Sequence, residues 1–137
     1  MDQRAATLLE QMRVASLATV SADGRSHLVP VVFARDRNDL VTAIDGKPKT
    51  GKTLIRVENI TRDPRVTLLA HLYEEDWAKL WWVRVDGMAS LEDAGEPFER
   101  ALSALRKRYP QYESVALTGP VIRISIEETT TWEATPG

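Results

Sequence analysis

Four positively charged side chains lie close together, with no negative charge among them: Lys47, Lys49, Lys52 and Arg56. They fall between a strand-like segment, 40–44, and a helix-like segment, 53–60. At a helix N-terminus the backbone N–H groups and the helix dipole attract an anion, and lysines add positive charge. The spacing therefore predicts a phosphate site. The competing interpretation is a solvated basic loop, although lysines at a helix N-terminus oppose its dipole unless an anion compensates.

The end of this run has features of the phosphate loop of nucleotide hydrolases. Lys52-Thr53 follows Gly51, and the first glycine of such a loop would fall at Gly46. Pro48, however, interrupts the series of backbone N–H donors that such a loop uses. We therefore expect phosphate binding without nucleotide hydrolysis.

The composition indicates one globular domain over residues 1–137. Hydrophobic residues make up 43% and charged residues 28%, which is ordinary for a globular protein. The net charge of -2 argues against nucleic-acid binding, and the absence of cysteine excludes disulfides and thiolate chemistry. No apolar run approaches the roughly 20 residues of a membrane span. Acidic and basic residues interrupt the N-terminus where a signal peptide would be apolar, so we expect a cytoplasmic protein.

Hydrophobic periodicity predicts three helices and six strands. The helices are expected over 3–12, 53–60 and 96–109, and the strands over 14–20, 26–34, 40–44, 65–72, 80–91 and 120–127. This order predicts a mainly β (α+β) protein, a six-stranded antiparallel barrel with two or three short helices at its joins. We expect the tail, 129–137, to be loose, with Trp132 as the residue that could hold part of it in place.

Two histidines and three adjacent carboxylates could bind a metal, but their spacing argues against it. His27 and His71 each fall in a predicted strand without a companion ligand, and residues 74–76 form a polar turn. We therefore expect no metal site. There is also no Gly-x-Ser-x-Gly motif, so the sequence does not support a hydrolase, and it assigns no catalytic side chain.

Three stretches together resemble one known superfamily. They are the hairpin over 15–31, the basic loop with the helix ending at Asn59–Val66, and Asp76-Trp77 followed by 80–87. They are similar to the split β-barrel flavin and deazaflavin oxidoreductases, the pyridoxamine 5'-phosphate oxidase-like superfamily with the FMN-binding split barrel. The third stretch resembles its actinobacterial enzymes that use the deazaflavin coenzyme F420. The resemblance covers about residues 8–132.

The resemblance implies a homodimer with two cofactor sites at the subunit interface. Lys49 and Lys52 are then the first candidates for phosphate ligands, with Lys47, Arg56 and the Thr50 hydroxyl assisting. The ring of the cofactor would be bordered by the backbone of four residues and the pocket lined by two tryptophans: Pro30, Val31, Thr42, Ala43, Trp77 and Trp81.

Adjacent tryptophans on a strand face opposite sides of the sheet, so either Trp81 or Trp82 must be core. The other must be covered by a cofactor ring or a partner subunit, because an exposed aromatic cluster promotes association. Pyridoxamine phosphate oxidases also use an Arg and a His near the C-terminus. After residue 110 this chain has no His and a single Arg, Arg123, which argues against that reaction.

The function expected from these features is a coenzyme F420-dependent oxidoreductase. The reduced deazaflavin would transfer a hydride to a small unsaturated or conjugated substrate, which needs no side-chain nucleophile. Four cations exceed what the single phosphate of FMN requires, whereas the acidic tail of the deazaflavin could pair with the remainder. The alternatives are an FMN-binding pyridoxamine phosphate oxidase-like protein and a non-catalytic flavin- or deazaflavin-binding module.

Overall fold

The computed structural model describes residues 1–44, 54–117 and 119–135, and it contains one antiparallel sheet with three helices. The helices are α1 (Gln3–Gln11), α2 (Ile55–Arg62) and α3 (Glu96–Arg108), with 3-10 turns at Trp77–Lys79 and Pro110–Glu113. The strands are β1 (Ala15–Val20), β2 (Ser26–Val31), β3 (Ala34–Asp36), β4 (Asp39–Ala43), β5 (Arg65–Leu72), β6 (Trp81–Glu92) and β7 (Val121–Glu133). Their order in the sheet is β2-β1-β5-β6-β7-β4-β3.

The alternation along the long strands separates a buried face of the sheet from an outer one. On β6, Trp81, Val83 and Val85 are buried, whereas Trp82 and Arg84 face the other side. The buried face packs against α1 and Ile60 of α2. A second apolar cluster lies under α3, where its buried stripe covers β3 and β4; its members include Ala34, Val41, Ala43, Ala101, Leu102 and Leu105.

The two end strands of the sheet are adjacent in sequence, because only Val32 and Phe33 separate β2 from β3. The Tyr109 hydroxyl fixes this connection. It accepts a hydrogen bond from the Phe33 N–H at 3.0 Å and lies 2.5 Å from the Phe33 carbonyl and 3.0 Å from the Arg13 carbonyl. Burial raises the pKa of Tyr109, against the lowering effect of its bond to Phe33, so the neutral hydroxyl is retained.

The predicted fold class is confirmed, with seven strands in place of six. The additional strand is β3: Ala34 was expected to end the strand over 26–34, and Arg35 and Asp36 were expected to lie outside any strand. Only Arg37 and Asn38 remain between β3 and β4. The loose tail was a wrong prediction up to Glu133, because β7 pairs with β6 over its whole length, ending at Trp81↔Glu133. Threonines and Trp132 favour this extension, since β-branched and aromatic residues suit strands.

No helix in the described ranges is long and apolar enough to cross a membrane. The hairpin between β1 and β2 turns at Asp23-Gly24. Gly24 alone takes a positive φ, of 86°, so Asp23 does not share that conformation.

Candidate functional site

The structure brings five of the predicted site residues together at the connection between β2 and β3. They line a hollow of about 290 Å³ with Val14 and Val32 as its other members; the five are Pro30, Val31, Thr42, Ala43 and Arg56. We call this the split hollow, because it lies where the two end strands of the sheet approach each other. Segments that are distant in sequence, β2, β4 and α2, supply its walls.

The two strands offer different surfaces to the split hollow. β2 is an edge strand that pairs only with β1, and an edge strand is where a proline such as Pro30, opposite Ser16, is tolerated in a sheet. β4 is held between β3 and β7, and Thr42 and Ala43 are both buried. A flat apolar ligand could therefore contact the backbone edge of β2 on one side and a rigid strand on the other.

Arg56 provides the positive charge of the described site. It lies in the first turn of α2, where a cation opposes the helix dipole and an anion would relieve that opposition. Lys47, Lys49, Thr50 and Lys52 lie outside the described residues. In sequence they run between Ala43 and Arg56, which both line the split hollow.

The surroundings of this segment differ from those of a nucleotide-hydrolase phosphate loop. Such loops occur in α/β proteins, where a helix connects parallel strands. Here the strands before and after α2, β4 and β5, are separated in the sheet by β6 and β7 and run in opposite directions. The surroundings thus differ from those of a nucleotide-hydrolase loop, and phosphate binding stays a prediction.

The structure does not bring the two predicted tryptophans into the split hollow. Trp81 is 6% exposed and belongs to the main core, since its register opposite Leu72 turns it inward. Trp77 is 76% exposed on the first 3-10 turn. Their role beside a cofactor stays a prediction. Trp82 is the member of the pair that faces outward.

Trp82 belongs to an apolar region on the outer face of the sheet, which we call the outer face. It surrounds a shallow hollow of about 760 Å³ whose lining residues include Leu28, Leu69, His71, Tyr73, Trp82 and Arg84. Leu28 is 65% exposed, and the Arg84 guanidinium lies 5.7 Å from the centre of the Trp82 ring. No acidic side chain is among its lining residues.

Arg123, the single arginine after residue 110, is held inside the protein by other groups. Its Nε donates to Glu92 at 2.6 Å, and its Nη1 donates to Asp36 at 2.9 Å and Asp39 at 3.1 Å. Its Nη2 donates to the Pro97 carbonyl at 2.8 Å. Burial lowers the pKa of Arg123, but the three carboxylates outweigh burial and raise it. Arg123 is therefore a structural residue.

Sequence reasoning missed a further set of residues around the split hollow. Val14 and Val32 line it, although neither belongs to a recognisable motif. Val32 could have been suspected from its place between an edge strand and a polar segment.

Among the described residues no group of three or more His, Asp or Glu side chains could hold a metal ion.

The fold and the site define a class: a split barrel with a hollow between the edge strand β2 and β4, and a positive charge at the edge of that hollow. The chain belongs to the pyridoxamine 5'-phosphate oxidase family, whose model matches residues 1–133. None of the curated proteins matches the chain.

Solved structures from three organisms have the same fold. A pyridoxamine 5'-phosphate oxidase candidate from Listeria innocua is 26% identical with a TM-score of 0.69, over 96% of this chain and 97% of that one. An FAD-binding protein from Mesorhizobium loti is 22% identical with a TM-score of 0.68, over 93% and 89%. The haem storage protein HutZ of Vibrio cholerae is 17% identical with a TM-score of 0.72, over 96% and 93%.

Proposed function

We propose that this protein is an oxidoreductase that binds a flavin-type cofactor in the split hollow, with coenzyme F420 as the preferred cofactor. The observation that supports this best is the meeting of Pro30, Val31, Thr42 and Ala43 with Arg56 in one hollow. Four of these residues offer backbone and apolar contacts suited to a planar ring, and Arg56 supplies positive charge for a phosphate.

The residues fit such a cofactor in shape and charge. The hollow of about 290 Å³ is open, so part of a tricyclic ring can enter it while the rest is covered by another surface. Arg56 with Lys47, Lys49 and Lys52 would hold the phosphate and the acidic tail, and Thr50 would add a hydroxyl. When bound, the reduced deazaflavin supplies the hydride; the protein contributes binding and orientation.

Oxidation of pyridoxamine phosphate is disfavoured as the reaction. The family enzymes that carry it out use an arginine near the C-terminus to bind substrate, and Arg123 is the single candidate after residue 110. Its guanidinium already donates to three carboxylates and a carbonyl. Breaking that network to bind a substrate would leave Asp39 and Glu92 without their cation, and Asp36 with Arg100 alone.

The FAD-binding and haem-storing neighbours favour a second candidate, a module that binds its cofactor without turnover.

The absorbance of the purified protein separates the cofactors, since a flavin, a deazaflavin and haem have different spectra. Titration with F420 and FMN, followed by turnover of reduced F420 with unsaturated acceptors, tests the proposal. Arg56→Gln should weaken binding, whereas Arg106→Gln, an exposed arginine outside the hollows, should not. Tight binding without turnover on any acceptor would favour the module.

We also propose that the outer face is covered by a second copy of the chain. An apolar region with exposed Leu28 and Tyr73 and a partly exposed Trp82 would be costly in a monomer. The edge strand β2, which carries Leu28, also needs protection from unwanted strand pairing. A homodimer satisfies both needs.

Light scattering at micromolar concentration should therefore give about twice the monomer mass of 15.4 kDa. Leu28→Asp should shift the equilibrium toward the monomer, because it places a charge in an apolar interface. Leu91→Asp is the matched control, since Leu91 is also exposed but lies outside the outer face. A monomer mass for the unaltered protein would contradict the proposal.

A further inference from the structure

A second hollow adjoins the split hollow and is mostly apolar. It has a volume of about 480 Å³, and its lining residues include Arg13, Val14, Val32, Tyr109, Tyr112 and Val115. We call it the apolar hollow. It shares Val14 and Val32 with the split hollow, so the two hollows adjoin at these side chains. The Tyr109 hydroxyl is already bonded to backbone at Phe33, so it adds no free polar group here.

A third hollow, the basic groove, continues from the apolar hollow at Arg13, which lines both. The basic groove has a volume of about 650 Å³ between the end of α1, β3 and α3. It is lined by five cations, Arg13, Arg35, Arg100, Lys107 and Arg108, and by two carboxylates, Glu10 and Asp36. Positive charge is therefore in excess there, although the whole chain has a net charge of -2.

The two carboxylates do not neutralise this excess. Asp36 is engaged by Arg123 at 2.9 Å and by Arg100 at 3.4 Å. Within the described ranges, none of the other four cations has an ion pair with a carboxylate, and Glu10 acts on the pKa of Arg108 only from beyond ion-pair distance. Excess positive charge in a concave region attracts anions.

The cations of the basic groove divide into scaffold and candidate ligand contacts. Arg108 donates to the carbonyls of Leu9, at 3.0 Å, and Met12 at the end of α1, and it lies 4.6 Å over the Phe33 ring. Burial and the nearby Arg13 lower the pKa of Arg108. Lys107 is exposed, and Arg13 is exposed at the junction with the apolar hollow. These two are placed to meet an acidic group on a ligand whose body fills the apolar hollow.

We propose that the substrate is an amphiphilic anion. Its flat apolar body lies in the apolar hollow, next to the split hollow, and its acidic group lies in the basic groove at Arg13 and Lys107. The assignment of this ligand as the substrate rests on the proposed function; its binding does not. Ligand sites combine apolar walls with a few placed polar groups, and the two hollows together provide that combination.

The test compares two probes that differ in charge, 2-naphthalenesulfonate and 2-naphthalenemethanol, titrated by NMR into the protein with labelled valine and leucine methyl groups. The sulfonate should shift the methyl signals of Val14, Val32 and Val115 and should bind about tenfold more tightly than the alcohol. Lys107→Gln and Arg13→Gln should each weaken sulfonate binding about three- to tenfold and leave the alcohol unchanged, as expected for partly exposed charge pairs.

Two variants separate charge from structure. Arg13→Lys keeps the positive charge but removes the guanidinium, whose Nη1 donates to the Arg108 carbonyl. Because the charge is kept, this variant should retain most of the sulfonate affinity. Arg106→Gln is the control, since Arg106 lies on α3 beside Lys107 but does not line the basic groove; it should have no effect on sulfonate binding. Each variant should keep its methyl spectrum in the absence of probe.

Three results would overturn the proposal. The first is equal affinity for the two probes. The second is a shift confined to the leucine methyl groups of the outer face, Leu28 and Leu69. The third is a Lys107→Gln variant that loses affinity for F420 but not for the sulfonate, which would assign the basic groove to the acidic tail of the cofactor. Neither probe requires a bound cofactor, so a failure of F420 binding or turnover would be seen separately.

Discussion

Two clusters of positive charge pack against α3, and they differ in how their charge is balanced. Near the start of the helix, the Arg123 side chain is 11% exposed and its guanidinium donates to Asp36, Asp39, Glu92 and the Pro97 carbonyl. Along the rest of the helix, the basic groove holds five cations and two carboxylates. Asp36 belongs to both regions.

The difference teaches how to separate a structural cation from one that is available to a ligand. A buried guanidinium must have its donors satisfied, and the protein supplies three carboxylates to Arg123 for that purpose. Arg13, Arg35 and Lys107 of the basic groove have the opposite character, because they are exposed and have no ion pair with a carboxylate in the described ranges. They are stable in water and still attract anions. The number of arginines in a region is thus less informative than the number of acceptors around them.

The largest effect we predict is on the network of Arg123 and its three carboxylates. Arg123→Met should reduce the free energy of unfolding by about 3–5 kcal/mol, because removing the cation leaves partly buried carboxylates unpaired. Urea denaturation measures this loss. Arg106→Met, an exposed arginine on α3, is the control and should change stability by less than about 0.5 kcal/mol. A loss for Arg123→Met no larger than that of the control would mean that the network is not structural.

The next effect concerns cofactor binding. Lys49→Ala should weaken F420 binding about ten- to a hundredfold, because a charge-assisted contact to phosphate contributes roughly 1.5–3 kcal/mol. Lys52→Ala should have a smaller effect in the same direction. Lys79→Ala, on the first 3-10 turn, is the matched control. Fluorescence titration measures the affinities. If both variants bind as the unaltered protein does while remaining folded, the anion site lies elsewhere.

The shared residue allows the two clusters to be tested together. Asp36→Asn should reduce the free energy of unfolding by about 1–2 kcal/mol, since Arg123 loses a charged acceptor. The same change should tighten 2-naphthalenesulfonate binding about two- to threefold, because it removes a negative charge from the basic groove. Asp23→Asn, in the exposed β1–β2 turn, is the control. Unchanged or weaker sulfonate binding would show that the negative charge of Asp36 does not act on anions in the basic groove.

Much of the fold could be predicted from the sequence, because periodicity is a local property. The alternation of Trp81 to Ala89 and the stripe on α3 indicated a long strand and a packed helix, and both are present. β3 was missed since three residues are too few to show a period. Which of Trp81 and Trp82 faces inward depends on the pairing of β6 with β5 and β7, which a single strand does not encode.

The candidate sites divide in the same way. Pro30, Val31, Thr42 and Ala43 could be predicted because a family resemblance places those positions, and the split hollow unites them. The basic groove could not be predicted, since Arg13, Arg35, Arg100 and Lys107 come from distant segments. Only the closure of the sheet and the packing of α3 on β3 bring these cations together.

The last prediction concerns the choice of cofactor. F420 should bind more tightly than FMN, by severalfold at low salt. Both carry a tricyclic ring and a phosphate, so the split hollow should accept either head group. F420 has additional carboxylates in its tail, and the four cations Lys47, Lys49, Lys52 and Arg56 exceed what one phosphate can neutralise. Neighbouring like charges repel one another, so a ligand that pairs with more of them gains binding free energy.

This preference should shrink as salt is added, because exposed charges are screened over about 10 Å at 0.1 M ionic strength. Titration of both cofactors at low and at high salt gives the two ratios. Lys47→Ala should reduce the preference at low salt more than it weakens FMN binding, since Lys47 is assigned to assist rather than to hold the phosphate. Equal or tighter binding of FMN at low salt would place the protein among the flavin-binding members of its family.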